Sequence, residues 1–564
     1  MAPPLRRLLP RIFKGGAEKQ VSDEVEDIDT VVERELKERR KDIEAARSRK
    51  ELKLEASYNI IEDYVIEDPW ARVLILEDKN SGSYVYFVDE LEMTPEERRA
   101  YERIMEILNW ELKPLPPTPT EEVKGVERYE WERDYFIGQI KRIVSIYRIR
   151  FGGIYPQVSW GKILYYITRD TIGYGPIHVL MKDSYIEDIS CDGVGRPIYV
   201  WHQKYESLPT NIVFSSDEEL DKLVLRLVHK AGRHVSVAFP IVDAILPEGH
   251  RLAVTFKREV STSGSTFTIR KFKEKPLSII DLIDYGTLSS YMAAYLWIAM
   301  DYKMPGIIMG VTGSGKTTTL NAIATLFRPN IKIVTIEDTP ELKLPHKNWV
   351  QLASRPSYGL GVEKIGEVTL YDLVKVSLRY RPDVIIVGEV RGEEAYVLFQ
   401  AMATGHGGLT TIHSEDVEAM VKRLTSPPMN IPPSYIPLLK FALAIKRVRI
   451  LNPDGSYQIA RRITNLWEIV DYGVYREVAR WNPYTKEHEH EFERSHLLSE
   501  VSKLAGVTFE DLINDLERRR IILEWMRIAG IRSYDKVAEV IFRYYMNPEK
   551  TYERAVKELE AYRI

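Results

Sequence analysis

Gly310-Val-Thr-Gly-Ser-Gly-Lys-Thr317 is the stretch whose residue types and spacing spell out a chemistry most directly. It fits the pattern of a glycine-rich loop closed by Gly-Lys-Thr. Glycines let backbone N–H groups turn inward around a polyphosphate with no Cβ in the way. A helix N-terminus behind the loop adds partial positive charge where the phosphates sit. Thr312, Gly313, Ser314, Gly315, Lys316, Thr317 and Thr318 make up the expected cradle. In it Lys316 reaches the β- and γ-phosphates as a point charge, and the Thr317 hydroxyl binds Mg²⁺. The pattern arises by chance in about one random chain of this length in fifty. Its flanks tighten the reading: Gly306-Ile-Ile-Met309 is a short apolar strand, and Thr317 to Phe327 reads as a helix stopped before Pro329.

A nucleotide cradle is not yet a catalyst, because hydrolysis needs a group that activates water and another that helps to hold Mg²⁺. Two apolar runs end in carboxylates: Ile333-Val-Thr-Ile-Glu-Asp338 and Val384-Ile-Ile-Val-Gly-Glu389. In a parallel α/β sheet, ligands bind beyond the carboxyl ends of the strands, where Glu337, Asp338 and Glu389 then lie. Further on, Thr404-Gly-His-Gly-Gly-Leu-Thr-Thr-Ile-His-Ser414 sets His406 in a glycine turn and His413 at a strand end. Beside a nucleotide site that pair fits a phosphate-sensing role.

The elements that must position these groups follow from pattern. From about 277 to 450, short apolar strands alternate with helices, the signature of a largely parallel sheet. Residues 160–272 mix short strands with a helix at Asp217–Ala231, an α+β pattern. Upstream come strand-like segments at Ala71–Leu76 and Ser83–Val88, a helix over Pro95–Trp110, and a proline-rich linker at Lys113–Thr120. The charged segment 17–56 reads as a solvated arm, and Leu5, Leu8, Leu9, Ile12 and Phe13 make a basic amphipathic start, a candidate for docking on a membrane or a partner. Asn452–Ser456 reads as a hairpin turn, and the last stretch as amphipathic helices. The expected division is an arm at 1–56, an accessory region at 57–150, an α+β domain at 151–272, a nucleotide-binding core at 277–470 and a mainly helical end at 471–564.

Composition narrows the class. With 79 basic and 83 acidic side chains the net charge is −4, so the strong basic excess of a nucleic-acid binder is missing. The single cysteine, Cys191, rules out an intrachain disulfide framework and fits a reducing compartment. No run approaches the roughly 18 apolar residues of a membrane span, and the N-terminus does not read as a signal peptide.

The four motifs in this order resemble the secretion-superfamily ATPases of type II secretion, type IV pili, the archaellum and type IV secretion. The correspondence takes in the Walker A loop Gly310–Thr317, the acidic box Thr335–Glu341, the atypical Walker B stretch Arg381–Ala395 and the histidine box Gly405–His413. Gly249-His-Arg-Leu-Ala-Val-Thr255 and Phe267-Thr-Ile-Arg-Lys-Phe272 also match, so the resemblance covers about 160–470 and is nearest the archaeal branch. It implies a RecA-like P-loop ATPase core with a smaller α+β N-terminal domain, flanked by mainly helical extra regions. It also implies ATP and Mg²⁺ as ligands, with ATP held between the two domains of each protomer in a homo-hexameric ring. By carry-over, Glu337 activates water, Glu389 is the Walker B carboxylate near Mg²⁺, His413 and His406 sense the γ-phosphate, and Arg251 and Arg270 reach the phosphates on closure. The function implied is a cytoplasmic motor, peripheral to the membrane, that drives a polytopic platform protein and, through it, pilin-like subunits, with no direct contact to nucleic acid. A DNA-transfer ATPase and a non-hydrolysing nucleotide-binding scaffold are the rival readings.

Overall fold

The computed structural model describes residues 54–113, 126–150, 156–272, 276–355, 366–451 and 457–562. The amphipathic start, the charged arm up to residue 53, the linker from 114 to 120, residues 273–275 and the turn at 452–456 lie outside the described residues. The chain forms two compact units, dividing near Asp183.

The first unit contains the described residues up to Asp183, with Pro209–Ile212. Its strands β1 (Tyr58–Glu67), β2 (Ala71–Asp78) and β3 (Tyr84–Glu90) pair antiparallel in sequence order. Arg72, buried on the central strand, is satisfied from both sides: Nε donates to Asp89 Oδ2 and Nη1 to Asp63 Oδ2, each at 2.8 Å. The hydroxyls of Tyr64 and Tyr86 both donate to the buried carboxylate of Asp183. Helix α1 (Pro95–Glu111) opens on a Thr94/Glu97 capping box with Pro95 in its first turn. It packs with α2 (Val126–Tyr147) and α3 (Pro156–Thr171) around Ile104, Ile140 and Ile163. The region before the core domain is thus sheet as well as helix.

The second unit contains Ser184–Leu208 and Val213–Ile564. Its smaller sheet has β4 (Ile186–Cys191), β5 (Pro197–His202), β7 (Ile241–Ile245), β8 (Arg251–Thr255) and β9 (Thr266–Arg270) in the order β5-β4-β9-β8-β7, all neighbours antiparallel. Between them in sequence run β6 (Glu206–Val213), whose middle belongs to the first unit, and α4 (Asp217–Lys230). Alternation sends Val242, Leu252, Val254 and Ile269 into the interior and leaves Asp243, Arg251 and Arg270 on the opposite face.

Helix α5 (Ser290–Asp301) leads into the large sheet, whose strands are β10 (Gly306–Met309), β11 (Ile333–Glu337), β12 (Trp349–Ala353), β13 (Val384–Val387), β14 (Gly407–Ile412), β15 (Phe441–Leu451), β16 (Tyr457–Asp471), β17 (Val474–Asn482) and β18 (Glu487–His490). Their order is β12-β11-β13-β14-β10-β15-β16-β17-β18. The six strands from β12 to β15 are parallel, and the last three are added antiparallel. Connecting helices are α6 (Lys316–Ala324), α7 (Leu370–Ser377), α8 (Glu394–Ala403) and α9 (Val417–Thr425). This is the parallel P-loop core expected of the sequence. Strands β10 and β13 are only four residues long and fully buried, as a sheet covered on both faces requires. Successive residues feed two cores, with Ile308, Ile386 and Leu409 on one face and Ile307, Ile385 and Ile412 on the other.

Strands continue to His490, so the helical end begins only at α10 (His496–Ala505), followed by α11 (Phe509–Ile528), α12 (Tyr534–Met546) and α13 (Pro548–Tyr562). These helices explain α5, which is buried at every position but Tyr291. A helix apolar all round needs cover on every side, and α11 supplies it on the side away from the sheet. Two buried polar contacts hold the layers together. Glu468 accepts from Tyr295 Oη at 2.8 Å and from the His496 amide at 2.7 Å. Arg519 donates to Asp301 at 2.6 Å and to Asp515 at 2.8 Å, with Trp297 and Tyr544 stacked over its guanidinium. The Asp301 and Arg519 side chains are only 4% and 5% exposed. Asp301→Ala leaves the buried guanidinium to Asp515 and is expected to cost up to about 3–5 kcal/mol, measured as a fall in the urea midpoint.

Candidate active site at the carboxyl ends of the parallel strands

Parallel register brings the motifs together. Met309 pairs with Ile412, and Ile336 with Val387, so the segments after β10, β11, β13 and β14 all emerge on one edge of the sheet. These segments carry the glycine loop, Glu337 to Glu341, Glu389 and His413. The amide of Gly310 donates to Ile412 O, tying the loop to the histidine strand.

The loop itself is built as an anion cradle. Gly313 and Gly315 have φ of +71° and +101°, left-handed conformations that favour glycine. Gly315 is the N-cap of α6 and no side chain caps the helix, so its first-turn N–H groups have no partner within the helix. Ser314 Oγ is buried without a hydrogen-bond partner. Arginines of the β15–β16 ribbon hold the carbonyl side of the loop: Arg447 Nη2 donates to Thr312 O at 3.3 Å and Arg461 Nε to Gly313 O at 3.4 Å. The N–H side therefore stays the free one, and these residues fit a phosphate chain with its Mg²⁺. Thr318 is exposed on the first turn of α6.

Lys316 is buried, and its Nζ donates to Val311 O at 3.2 Å and lies 3.4 Å from His413 Nε2. Burial lowers its pKa, against the pull of Glu389. Glu389 Oε1 lies 3.0 Å from the same His413 nitrogen, and Oε2 accepts from Arg391 Nε at 3.0 Å. His413 Nε2 can accept from Lys316 or, when protonated, donate to Glu389, but it cannot do both. Burial and then the Lys316 charge hold its pKa below the usual value, which favours the neutral, accepting ring.

The acidic box divides into two roles. Glu337, 3% exposed, turns back into the protein: Oε1 accepts from the amides of Glu341 and Leu342, both at 2.9 Å, and Oε2 from Gln351 at 3.1 Å. Burial raises its pKa and those donors oppose the rise. Glu341 instead lies beside Thr317, and burial, followed by repulsion from Glu337, pushes its carboxyl up to about 7 against the Thr317 hydroxyl and the charges of Arg270 and Arg251. Those arginines are cross-strand neighbours on β8 and β9. Arg251 donates to Asp243 at 2.7 Å and Arg270 to Asp188 at 3.2 Å. Two like charges directly opposite repel, and the flanking carboxylates hold the pair in place.

His406 is not at this edge. It precedes β14, where Val384 pairs with Gly407, and its Nδ1 lies 3.1 Å from both Ala401 O and Thr404 Oγ1. The six residues of β14 separate it from His413, and its ring sits against the carbonyl end of α8. Glu341, Arg391, Arg447 and Arg461 are site residues that spacing did not single out. Glu341 stood inside the acidic box, but its distance from Glu337 in sequence does not reveal which carboxylate turns outward.

The cradle has no room for a larger residue at its first position. A Cβ on Gly310 would lie 2.4 Å from Ser314 Oγ and 2.5 Å from Ile445 O. Gly310→Ala is expected to weaken nucleotide binding by at least about tenfold, or roughly 1.4 kcal/mol, with helix content unchanged. Titration with a fluorescent nucleotide analogue, alongside circular dichroism, checks this.

Residues 172–460, just over half of the chain, match the family described as Type II/IV secretion system protein. An uncharacterised protein of Methanocaldococcus jannaschii is 38% identical over 522 residues, covering 89% of this chain and 91% of that protein. A putative conjugal transfer protein of Mycobacterium tuberculosis is 34% identical over 241 residues, 40% of this chain and 67% of its own. Among solved structures, the Legionella pneumophila ATPase DotB aligns over 64% of this chain and 92% of its own at 18% identity, with a TM-score of 0.39, too distant to bear on function. The family segment contains every site residue from Arg251 to His413, and the chain belongs to the type II/IV secretion system protein family.

Proposed function

We propose that this chain is an ATP-hydrolysing motor that works as a homo-hexameric ring on a polytopic membrane platform, in a machine of the type IV pilus, archaellum or type II secretion kind. The observation that carries the reading is the convergence of Lys316, Glu341 beside Thr317, and the Glu389–His413 pair on one sheet edge, with Arg251 and Arg270 close enough to Glu341 to act on its charge. A nucleotide-binding scaffold would need the cradle alone. When bound, ATP with Mg²⁺ supplies an electrophilic γ-phosphoryl group whose charge the metal partly neutralises. Lys316 and the α6 amides would hold the phosphates, and Thr317 and Glu389 would hold the metal. We assign water activation to Glu341 instead of Glu337, since Glu337 uses both oxygens within the protein. Arg251 and Arg270 would stabilise charge growing on the phosphoryl oxygens, a task suited to their planar forks. His413 would report whether Lys316 has moved toward phosphate, because losing that donor frees its Nε2 to protonate and donate to Glu389. The peripheral site at the cytoplasmic face and the indirect link to pilin-like subunits belong to the same reading, and no helix among the described residues is long and apolar enough to cross a membrane.

Relatives named as conjugal transfer proteins favour a second reading, a DNA-transfer ATPase of the type IV secretion kind. Stimulation of ATP turnover by single-stranded DNA is expected under that reading and not under the first.

ATP turnover per chain, measured with Mg²⁺ against protein concentration and with Lys316→Ala as background, tests the motor. A per-chain rate that climbs with concentration supports a site completed by assembly, and turnover no higher than background with the platform present overturns hydrolysis. Glu341→Gln is expected to lower the rate by about 10²–10⁴-fold. A general base must be deprotonated, so with the Glu341 carboxyl near 7 the rate should rise as pH increases through neutrality. A rate flat from pH 5.5 to 8 would remove Glu341 from that role.

A further inference from the structure

The family match ends at residue 460, yet the C-terminal helices reach the support of the acidic box. The segment Glu341–Lys343 is held from three directions. Glu337 Oε1 takes the amides of Glu341 and Leu342. Asn321 Oδ1, on the phosphate-loop helix α6, takes the amide of Lys343 at 2.8 Å. The carbonyl of Lys343 accepts from the hydroxyl of Tyr534, the first residue of α12. The carboxamide of Asn321 also lies beside that phenol, and its Nδ2 is buried with no acceptor. The same helix holds the far end of α6: Tyr545 Oη donates to Leu326 O at 2.7 Å, and Phe542 lies edge-on to His346, whose Nε2 is 3.1 Å from Phe327 O.

We propose that Tyr534 is a positioning residue for hydrolysis: through the Lys343 carbonyl it fixes the turn that presents Glu341 to Thr317. This rests on the reading of Glu341 as the water-activating group. The C-terminal helices thereby act on the chemistry through a main-chain oxygen two residues from that carboxylate, without touching the phosphate loop's own residues Gly310–Thr317. A phenol is suited to the task because its ring packs at the start of α12 while its hydroxyl reaches the loop.

The test is Tyr534→Phe in the full chain, which keeps the ring and removes the donor. Misplacing Glu341 should lower kcat by about 10- to 100-fold and leave KM for ATP unchanged, since the cradle is intact. Without nucleotide, hydrogen exchange should quicken at the amides of Glu341 to Lys343, with α12 still protected and the melting midpoint unaltered. Wild-type kcat overturns the proposal. So does a rise in KM alone, or exchange quickening throughout α12, which would make Tyr534 structural only. Glu341→Gln separates the layers. Near-wild-type turnover in that variant sinks the reading of Glu341 and this inference together, whereas a silent Glu341→Gln beside an unaffected Tyr534→Phe sinks the inference alone.

Discussion

Every strand from β12 to β15 runs in the same direction, and that polarity decides where chemistry is possible. Parallel strands must be joined by crossovers that return to the opposite edge. One edge of the sheet therefore collects the starts of strands, and the other collects their carboxyl ends. Glycine loop, acidic box, Glu389 and His413 each directly follow a strand, so one constraint gathers four motifs spread over about a hundred residues. The same constraint sets His406, which precedes its strand, on the other edge.

Charge is arranged before any ligand arrives. Lys316, His413, Glu389 and Arg391 form a continuous run of polar contacts across the site. Asp188, Arg270, Arg251 and Asp243 form a second across the smaller sheet, with the cations at its centre. Adjacent guanidinium groups are unfavourable alone, and their flanking carboxylates hold them in fixed orientation. Groups already oriented need little reorganisation when charge develops on a phosphoryl group, which is the physical content of electrostatic preorganisation.

The C-terminal helices are part of this core and not an appendage to it. Helix α5 has no face suited to water, and without α11 its apolar side chains would be exposed. Arg519 beside Asp301, and Glu468 at the start of α10, are buried charges whose partners come from both sides of that interface. A charge taken from water is tolerated only with such partners, so the two layers depend on each other.

Much of this was legible in the amino-acid sequence. The strand-loop-helix around Lys316, the parallel alternation from 277 to 450 and strands β5, β8 and β9 of the smaller sheet all follow from local periodicity and glycine placement. Strands β1, β17 and β18 escaped notice because their charged and exposed residues blur the alternation on which a strand reading depends. The identity of the outward carboxylate, Glu341 and not Glu337, depended on which oxygens the loop amides claim, and that is a matter of three-dimensional hydrogen bonding. Arg447, Arg461 and Tyr534 reach the loops from segments more than a hundred residues away. A sequence by itself determines which elements form and which residue types follow each strand, because those are local properties of the chain. Which of those residues meet is decided only by tertiary structure, because burial and register are set by partners the local pattern does not contain.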